Sequence, residues 1–164
     1  MDYTATLPAK RIGAGALFFD DADRVLLVKP VYKDDWEIPG GVVEANESPW
    51  TACCREIKEE LGLSRTPRRL LAIDWLPPLA DRTEGLMVVF DGGRLTRAEI
   101  AKITVPSDEL RGYEFCALAE AARRLSPRMT RRLTACLAAR ETGAVAYLEN
   151  GIRVEETEAG GVAD

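Results

Sequence analysis

The sequence contains no histidine. This absence excludes Ser-His-Asp and Cys-His catalysis, zinc bound through imidazole, and histidine as a general base. Acid–base chemistry is left to carboxylates, lysine and tyrosine. Any catalysis by this chain must therefore use those groups.

Paired cysteines and long apolar runs are also missing. Cys53, Cys54, Cys116 and Cys136 show no Cys-x-x-Cys spacing, so we interpret them as reduced core residues rather than a disulfide framework. No apolar run approaches the roughly 18–20 residues of a membrane span, so no membrane partner is expected. Residues 1–10 lack the charged start and apolar stretch of a signal peptide, which predicts a cytoplasmic protein.

A basic excess is absent too, because the net charge is −5. A nucleic-acid-binding domain needs a dense basic face, so no nucleic-acid partner is expected. A small anionic ligand can still bind where a metal reverses the local charge. With 164 residues, 46% of them hydrophobic, the chain fits one domain over 1–155. The acidic, glycine-rich residues 156–164 are predicted to be a disordered tail.

Apolar runs alternate with turn signals in a pattern typical of an α/β fold. Strands are predicted over residues 11–19, 25–29, 69–75, 85–90 and 113–117, and helices over 49–61, 118–125 and 128–142. The Pro39-Gly40-Gly41 stretch is expected to be irregular, and Asp91-Gly92-Gly93 to be a turn. Asn150-Gly151 predicts a type I′ hairpin between 144–148 and 152–155. The arginines of 128–142 are expected to form a solvated face.

The predicted helix 49–61 carries a concentration of like charge. Ser48 is a plausible N-cap, and Gly62 a natural C-terminal stop. One face is predicted to be core and holds Trp50, Cys53, Cys54, Ile57 and Leu61, while the adjoining face holds Glu56, Glu59 and Glu60. Each like-charge pair three or four residues apart costs roughly 0.2–0.5 kcal/mol, so the pattern indicates a bound cation.

The same stretch matches a longer motif. It resembles the Nudix box of the MutT-like Nudix hydrolases, G-x5-E-x7-R-E-U-x-E-E-x-G-U, where U is a bulky aliphatic residue. The matching residues are Gly41, Glu47, Arg55, Glu56, Ile57, Glu59, Glu60, Gly62 and Leu63. Residues 36–40 also look like the family's usual approach to the box, and the resemblance extends more loosely over 11–125.

The resemblance implies a Nudix α/β/α sandwich with a mixed β-sheet and a Mg²⁺- or Mn²⁺-dependent pyrophosphohydrolase. The substrate would be a small nucleoside diphosphate linked to another group. By resemblance, Glu56, Glu59 and Glu60 are metal ligands, and one of them also positions or deprotonates the attacking water. The Gly40 carbonyl would be a further ligand, and Arg55 would form an ion pair with Glu47.

A second acidic position follows from residues 109–115, which resemble a MutT-type pattern of a loop glutamate five residues before a Glu-Trp pair. Glu109 is the candidate for an additional metal ligand or base, with Glu114 and Asp108 behind it. Phe115 replaces the tryptophan, and loop carboxylates are commonly just solvated, so both interpretations stay open.

Alternatives remain for the function and for individual residues. The chain is also consistent with a catalytically silent Nudix domain that senses a nucleotide, or with an isomerase of prenyl diphosphates that uses a cysteine. Pro77 and Pro78 lie beyond the box, where ADP-ribose-hydrolysing members of the family often carry a proline, although a proline that ends a strand needs no such explanation. The short N-terminal segment instead favours a nucleoside triphosphate as substrate. Trp36 is expected to be a packing residue. Tyr32, Lys33 and Arg82 lie on loops able to meet a substrate, although such residues usually do nothing specific. A monomer or a homodimer is expected.

Overall fold

The computed structural model describes residues 3–154 of the chain. The strands are β1 (Arg11–Phe19), β2 (Val25–Pro30), β3 (Gly40–Val42), β4 (Leu70–Leu76), β5 (Gly85–Arg94), β6 (Leu110–Cys116), β7 (Ala146–Glu149) and β8 (Ile152–Arg153). The helices are α1 (Pro49–Leu61), α2 (Arg97–Ile100), α3 (Leu118–Arg124) and α4 (Pro127–Thr142), preceded by a 3-10 turn at Tyr3–Thr6. The predicted tail lies outside the described residues, as does the end of the predicted hairpin at 155.

The strands form one mixed sheet in the order β6-β2-β1-β5-β4-β7-β8, with β3 paired to β1. The β1–β5 and β4–β7 pairs are parallel and the others antiparallel. Apolar residues of α1 pack on one face of the sheet, and those of α3 and α4 pack on the other. This arrangement confirms the predicted α/β/α sandwich.

A divergence between β1 and β2 determines where the residues before α1 lie. The two strands pair at their hairpin end, where Phe19 faces Val25. Further along, the chain between β2 and α1 fills the space between them: Pro39 accepts a hydrogen bond from the Ala16 N–H at 3.0 Å. Gly40 then pairs with β1 as the first residue of β3. The irregular structure expected here is therefore wrong for β3, because β1 offers free backbone partners.

Gly40 meets a steric requirement at this point. Its φ is +147°, and a Cβ atom would lie 2.4 Å from the Ala14 carbonyl oxygen. Such an approach is open only to glycine. The backbone before α1 can therefore lie in the sheet, directly beside the helix that carries the glutamates.

Two strands are longer than their patterns predict. β5 continues through the expected turn to Arg94, with a register shift against β1. Gly93 has φ +77°, and its N–H donates to the Asp91 carboxylate at 2.9 Å, so the turn residues form a bulge instead of ending the strand. β6 begins at Leu110, three residues before the prediction, because it pairs with β2 up to Pro30. The short helix α2, which begins with a capping box, was not predicted from the sequence.

The ends of α1 are confirmed. Ser48 accepts a hydrogen bond from the Thr51 N–H, and Gly62 ends the helix with φ +67°. Its predicted core face is only partly correct. Trp50, in the first turn of the helix, is 41% exposed and contacts Phe90 edge-on, with ring centroids 5.4 Å apart.

The solvated face expected for the arginines of α4 is wrong for three of them. Arg128 is partly buried, and its Nε is covered. Arg132 is buried and pairs with the buried Asp74, its Nε lying 2.7 Å from the Asp74 Oδ2. Arg140 lies over the Phe19 ring, with its guanidinium carbon 4.2 Å from the ring centroid. α4 packs these side chains against the sheet, since long basic side chains can bury their aliphatic parts.

Other expectations concern the cysteines, the terminal hairpin and membrane helices. All four cysteines are free, three are buried and Cys54 is partly buried. Asn150 and Gly151 both have positive φ values, 53° and 78°, which confirms the type I′ turn. Trp36 packs against the core, as expected, and the Arg124 guanidinium lies over its ring. Within residues 3–154, no helix is long and apolar enough to cross a membrane.

Candidate active site

A cavity of about 250 Å³ lies between α1, β3 and the loop before β6. Five carboxylate residues line it: Glu37, Glu56, Glu60, Asp108 and Glu109. Gly40, Gly41 and Tyr32 form part of the remaining wall, and no lysine or arginine is among the lining residues. We call this space the acidic cavity.

Helix geometry brings two of the box glutamates into the acidic cavity. At about 100° per residue, Glu60 projects roughly 40° from Glu56, so the two side chains lie on one face. Glu60 is buried, and its carboxylate accepts a hydrogen bond from the Gly40 N–H at 2.8 Å. Burial raises the pKa of Glu60 to about 8, and the nearby charges of Glu56, Glu37 and Glu109 add to this rise against the lowering effect of the Gly40 hydrogen bond.

Glu56 is held against the backbone of β3. Burial raises the pKa of its carboxyl, and Glu59 and Glu109 raise it further, while Arg55 lowers it. A Cβ atom on Gly41 would lie 2.3 Å from the Glu56 Oε1. Glycine at position 41 therefore leaves the space that this carboxylate occupies.

Arg55 connects the box loop to α1. Its Nε and Nη2 donate to the two Glu47 oxygens at 3.0 and 2.9 Å, which confirms the predicted ion pair. Arg55 Nη1 also donates to Glu56 Oε1 at 2.8 Å, and Nη2 donates to the Val42 carbonyl at 2.9 Å. A planar guanidinium suits this set of acceptors better than an ammonium. Arg55 therefore positions Glu56.

Glu59 is not brought into the acidic cavity. It projects about 60° from Glu56 on the side away from Glu60. Its side chain is 52% exposed, and it accepts a hydrogen bond from Arg55 Nη1 at 3.0 Å. Its role as a metal ligand stays a prediction, as does that of the Gly40 carbonyl.

Glu109 lies where the second acidic motif predicts, in the wall of the acidic cavity. Its charge contributes to the raised pKa of both Glu56 and Glu60. Asp108 lines the same cavity, but the expectation for Glu114 is wrong. Glu114 is exposed on β6 and pairs with Arg124 at 2.6 Å, since its side chain points away from the cavity.

Two further acidic features were not predicted. Glu37 lines the acidic cavity, and its backbone pairs with Val28 of β2. Its only signal in the sequence was its place just before Pro39-Gly40. Glu114, Cys116 and Glu120 also have ligand atoms within 4.8 Å of one another. Arg124 forms ion pairs with both of those glutamates, so its guanidinium already balances the negative charge of this cluster.

The donor set of the acidic cavity fits a hard divalent cation. Carboxylate and carbonyl oxygens suit Mg²⁺ and Mn²⁺, whereas thiolate and imidazole favour other metals. No cysteine lines the cavity. Burial, and after it the neighbouring carboxylates, raises the pKa of Glu60, and no lysine or arginine lines the cavity to offset its charge. Glu56 and Glu60, with Glu109 facing them, are the residues best placed to hold such a cation.

A second cavity of about 510 Å³ adjoins the first and shares Tyr32, Glu37, Gly40 and Gly41 with it. Its lining includes five basic residues: Arg11, Lys33, Arg82, Arg128 and Arg132. We call it the basic cavity. Tyr32, Lys33 and Arg82, which the sequence suggested only as loop residues able to meet a substrate, all line it. Two cavities of opposite charge therefore meet at β3.

Fold and cavities together define an α/β/α sandwich with a carboxylate-lined pocket at its box helix. A family model described as the NUDIX domain matches residues 9–136, most of the chain. The chain therefore belongs to the NUDIX hydrolase family.

Individual relatives agree with this assignment over different lengths. An RNA pyrophosphohydrolase of Hydrogenovibrio crunogenus (strain DSM 25203 / XCL-2) is 37% identical over 68 residues, which are 40% of this chain and 41% of that protein. The match thus spans about two fifths of the relative's length.

Solved structures match over more of the chain. A MutT NUDIX hydrolase from Burkholderia pseudomallei is 26% identical with a TM-score of 0.62, covering 79% of this chain and 98% of that one. A UDP-X diphosphatase shares the fold, with a TM-score of 0.71 at 20% identity over 90% of this chain and 70% of that one.

The metal-free protein is expected to lose stability between about pH 5 and pH 8 through Glu60. Its folded pKa of about 8 lies above the ordinary glutamate pKa of 4.5, so the folded state keeps a proton that the unfolded state releases. The stability that this proton gives is full at low pH and is lost as pH rises through the folded pKa. Thermal unfolding in EDTA, compared between wild type and Glu60→Gln, measures it. If the melting temperature changes equally with pH in the two proteins, Glu60 does not cause the loss of stability.

Gly41→Ala is expected to lower kcat by about tenfold to a hundredfold, because small displacements of reacting groups cost rates of that order. The new methyl group would displace the Glu56 carboxylate, which is the flexible end of a side chain. The melting temperature should therefore change little. Steady-state kinetics and thermal unfolding of the same preparation check this, and a fall in stability without a fall in kcat contradicts it.

Proposed function

We propose that this protein is a divalent-metal-dependent pyrophosphohydrolase acting on a nucleoside diphosphate linked to another group. The observation that carries the proposal is the pairing of Glu56 and Glu60 in the wall of one cavity, with the pKa of Glu60 raised to about 8. Isolated buried charges are costly unless they are paired or bind metals. A cavity in which buried carboxylates have strongly raised pKa values is a candidate for a functional site.

Each residue of the site has a defined task in this proposal. The Gly40 N–H orients the Glu60 carboxylate, and Arg55 orients Glu56. These two carboxylates would hold the cation, and Glu109 of the opposite loop would be either a third ligand or the general base. When bound, a divalent cation lowers the pKa of water and neutralises charge on phosphoryl oxygens.

A proton must leave the attacking water, and the cavity offers carboxylates to accept it. Glu56, Glu60 and Glu109 line the same space, so the one that is not engaged by the cation can serve as general base. Histidine is not needed for this step. Glu47 and Arg55 act indirectly, since their ion pair fixes the loop against α1.

The substrate class follows from the relatives and from the two cavities. The relatives named above are an RNA pyrophosphohydrolase and a UDP-X diphosphatase, so their substrates belong in the test set. The basic cavity adjoins the acidic one and can receive the part of the substrate beyond the cleaved bond. No cysteine lines either cavity, which gives the isomerase alternative no support.

A substrate screen tests the proposal. The panel is ADP-ribose, NADH, nucleotide sugars, dinucleoside polyphosphates, oxidised dNTPs and an RNA with a 5′-triphosphate, each with Mg²⁺, Mn²⁺ or EDTA. Turnover of at least one compound that needs metal and is lost in Glu60→Gln is expected. Nucleotide binding without any turnover would contradict the proposal and favour the silent domain.

A further inference from the structure

Arg132 is a buried arginine in the wall of the basic cavity. Its side chain is only 6% exposed, and its Nε donates to Asp74 Oδ2 at 2.7 Å. Its Nη2 is buried and has no hydrogen-bond partner within the described part of the chain. Buried polar groups without a partner are rare in folded proteins, so the wall of the basic cavity contains an arginine whose hydrogen bonds are not all made within residues 3–154.

Arg128 lies one turn before Arg132 on α4 and lines the same cavity. Its buried Nε has no hydrogen-bond partner, and no ion pair involves it among residues 3–154. Burial lowers the pKa of Arg128, and the like charge of Arg132 lowers it further. Two guanidinium groups therefore lie close together, and among residues 3–154 the charge of Asp74 partly offsets their repulsion.

The charge balance of the basic cavity indicates what would offset this cost. Three of its five basic residues have an acidic partner: Lys33 pairs with Glu37, Arg82 with Asp81, and Arg132 with Asp74. The remaining two, Arg11 and Arg128, have no acidic partner in the described structure. Arg11 donates only to a backbone carbonyl, that of Thr83. An excess of two positive charges matches a phosphate dianion better than a carboxylate.

We propose that the basic cavity is a phosphate subsite, and that the substrate carries a phosphoryl group in addition to the diphosphate that is cleaved. Arg128 and Arg11, the two basic lining residues without an acidic partner among residues 3–154, donate to this group. The shared wall at Tyr32, Glu37, Gly40 and Gly41 lets one ligand extend from one cavity into the other. The assignment of the phosphate to a substrate rests on the proposed function, whereas the subsite itself does not.

Binding of inorganic phosphate in EDTA tests the subsite without any catalysis. Isothermal titration or ³¹P NMR should show saturable binding by wild type. Arg128→Gln should weaken it by about tenfold to a hundredfold, the usual effect of losing a charged hydrogen bond. Arg123→Gln, an equal charge change at an exposed residue of α3, should have less than about a twofold effect, which also controls for general electrostatics.

Both arginine variants are expected to fold, so weaker phosphate binding would not result from unfolding. Arg128→Gln removes a repelled charge, so its melting temperature should not fall. Arg11→Gln provides a second variant, since Arg11 is exposed and its loss cannot disrupt the core. Phosphate binding that is absent in wild type, or equal in wild type and both variants, overturns the subsite.

Kinetics with matched substrates test whether the substrate carries the additional phosphoryl group. NADPH and NADH differ by one phosphate, and diadenosine pentaphosphate and triphosphate differ in chain length. Wild type should prefer the member with more phosphate in kcat/KM by about tenfold or more, and Arg128→Gln should remove this preference. No preference in wild type overturns the substrate assignment. If no compound is turned over but phosphate still binds through Arg128, the proposed function fails and the subsite stands.

Discussion

Glu60→Gln is expected to lower kcat by about 10²–10⁴, the usual range for removing a group that stabilises charge or transfers a proton. Glutamine keeps the size of the side chain and can still accept from the Gly40 N–H at its carbonyl oxygen. It removes the negative charge with which the proposed site would bind a cation. The metal-free variant should be at least as stable as wild type near pH 8, because the costly buried charge is gone.

Two other glutamates provide the comparison for this result. Glu44→Gln makes the same chemical change at an exposed residue of the box loop. Because salt screens an exposed charge, kcat should stay within about twofold of wild type. Glu59→Gln should have a smaller effect than Glu60→Gln, since Glu59 is half exposed. Steady-state kinetics with saturating Mg²⁺ give the ranking. Wild-type turnover by Glu60→Gln would refute the assigned role.

Asp74→Ala is expected to destabilise the protein by about 3–5 kcal/mol, the typical effect of breaking a buried ion pair from one side. Asp74 is fully buried and accepts from Arg132 Nε at 2.7 Å and from the Gly151 N–H at 2.9 Å. Its loss would leave the Arg132 charge buried with no counter-charge. It would also detach the β7–β8 turn from β4.

Urea unfolding measures this effect, and two further variants interpret it. Asp81→Ala removes an exposed partner of Arg82 and should leave the unfolding midpoint unchanged. The double variant Asp74→Ala, Arg132→Leu should recover part of the loss, because the uncompensated charge is then gone. If Asp74→Ala is as stable as Asp81→Ala, the buried pair does not stabilise the fold.

Local signals in the sequence predicted the fold well where one residue type decides the structure. The Ser48 cap, the Gly62 stop and the Asn150-Gly151 turn were all found as predicted. Hydrophobic periodicity gave α1, α3 and α4. The errors arose where tertiary pairing decides, as in β3, which exists only because β1 and β2 diverge and leave β1 with free backbone groups.

The site divides in the same way. The box glutamates follow from spacing along one helix, and the Arg55–Glu47 contact follows from the motif. The ion pair between Arg132 and Asp74 could not be predicted, because Arg132 becomes buried only when α4 packs against Asp74 of β4. The distinction between Glu59 and Glu60 depended on where β3 lies, since Gly40 lies beside Glu60.

We claim that Glu60 and its neighbours hold a divalent cation, and titration of the metal-free protein with Mn²⁺ or Mg²⁺ at pH 7.5 measures this directly. Wild type should show saturable binding with release of protons, because the cation displaces the proton of Glu60. Glu60→Gln should bind at least about tenfold more weakly, as expected when a carboxylate ligand is lost, while Glu44→Gln should bind as wild type does. Equal affinity of wild type and Glu60→Gln would contradict the claim.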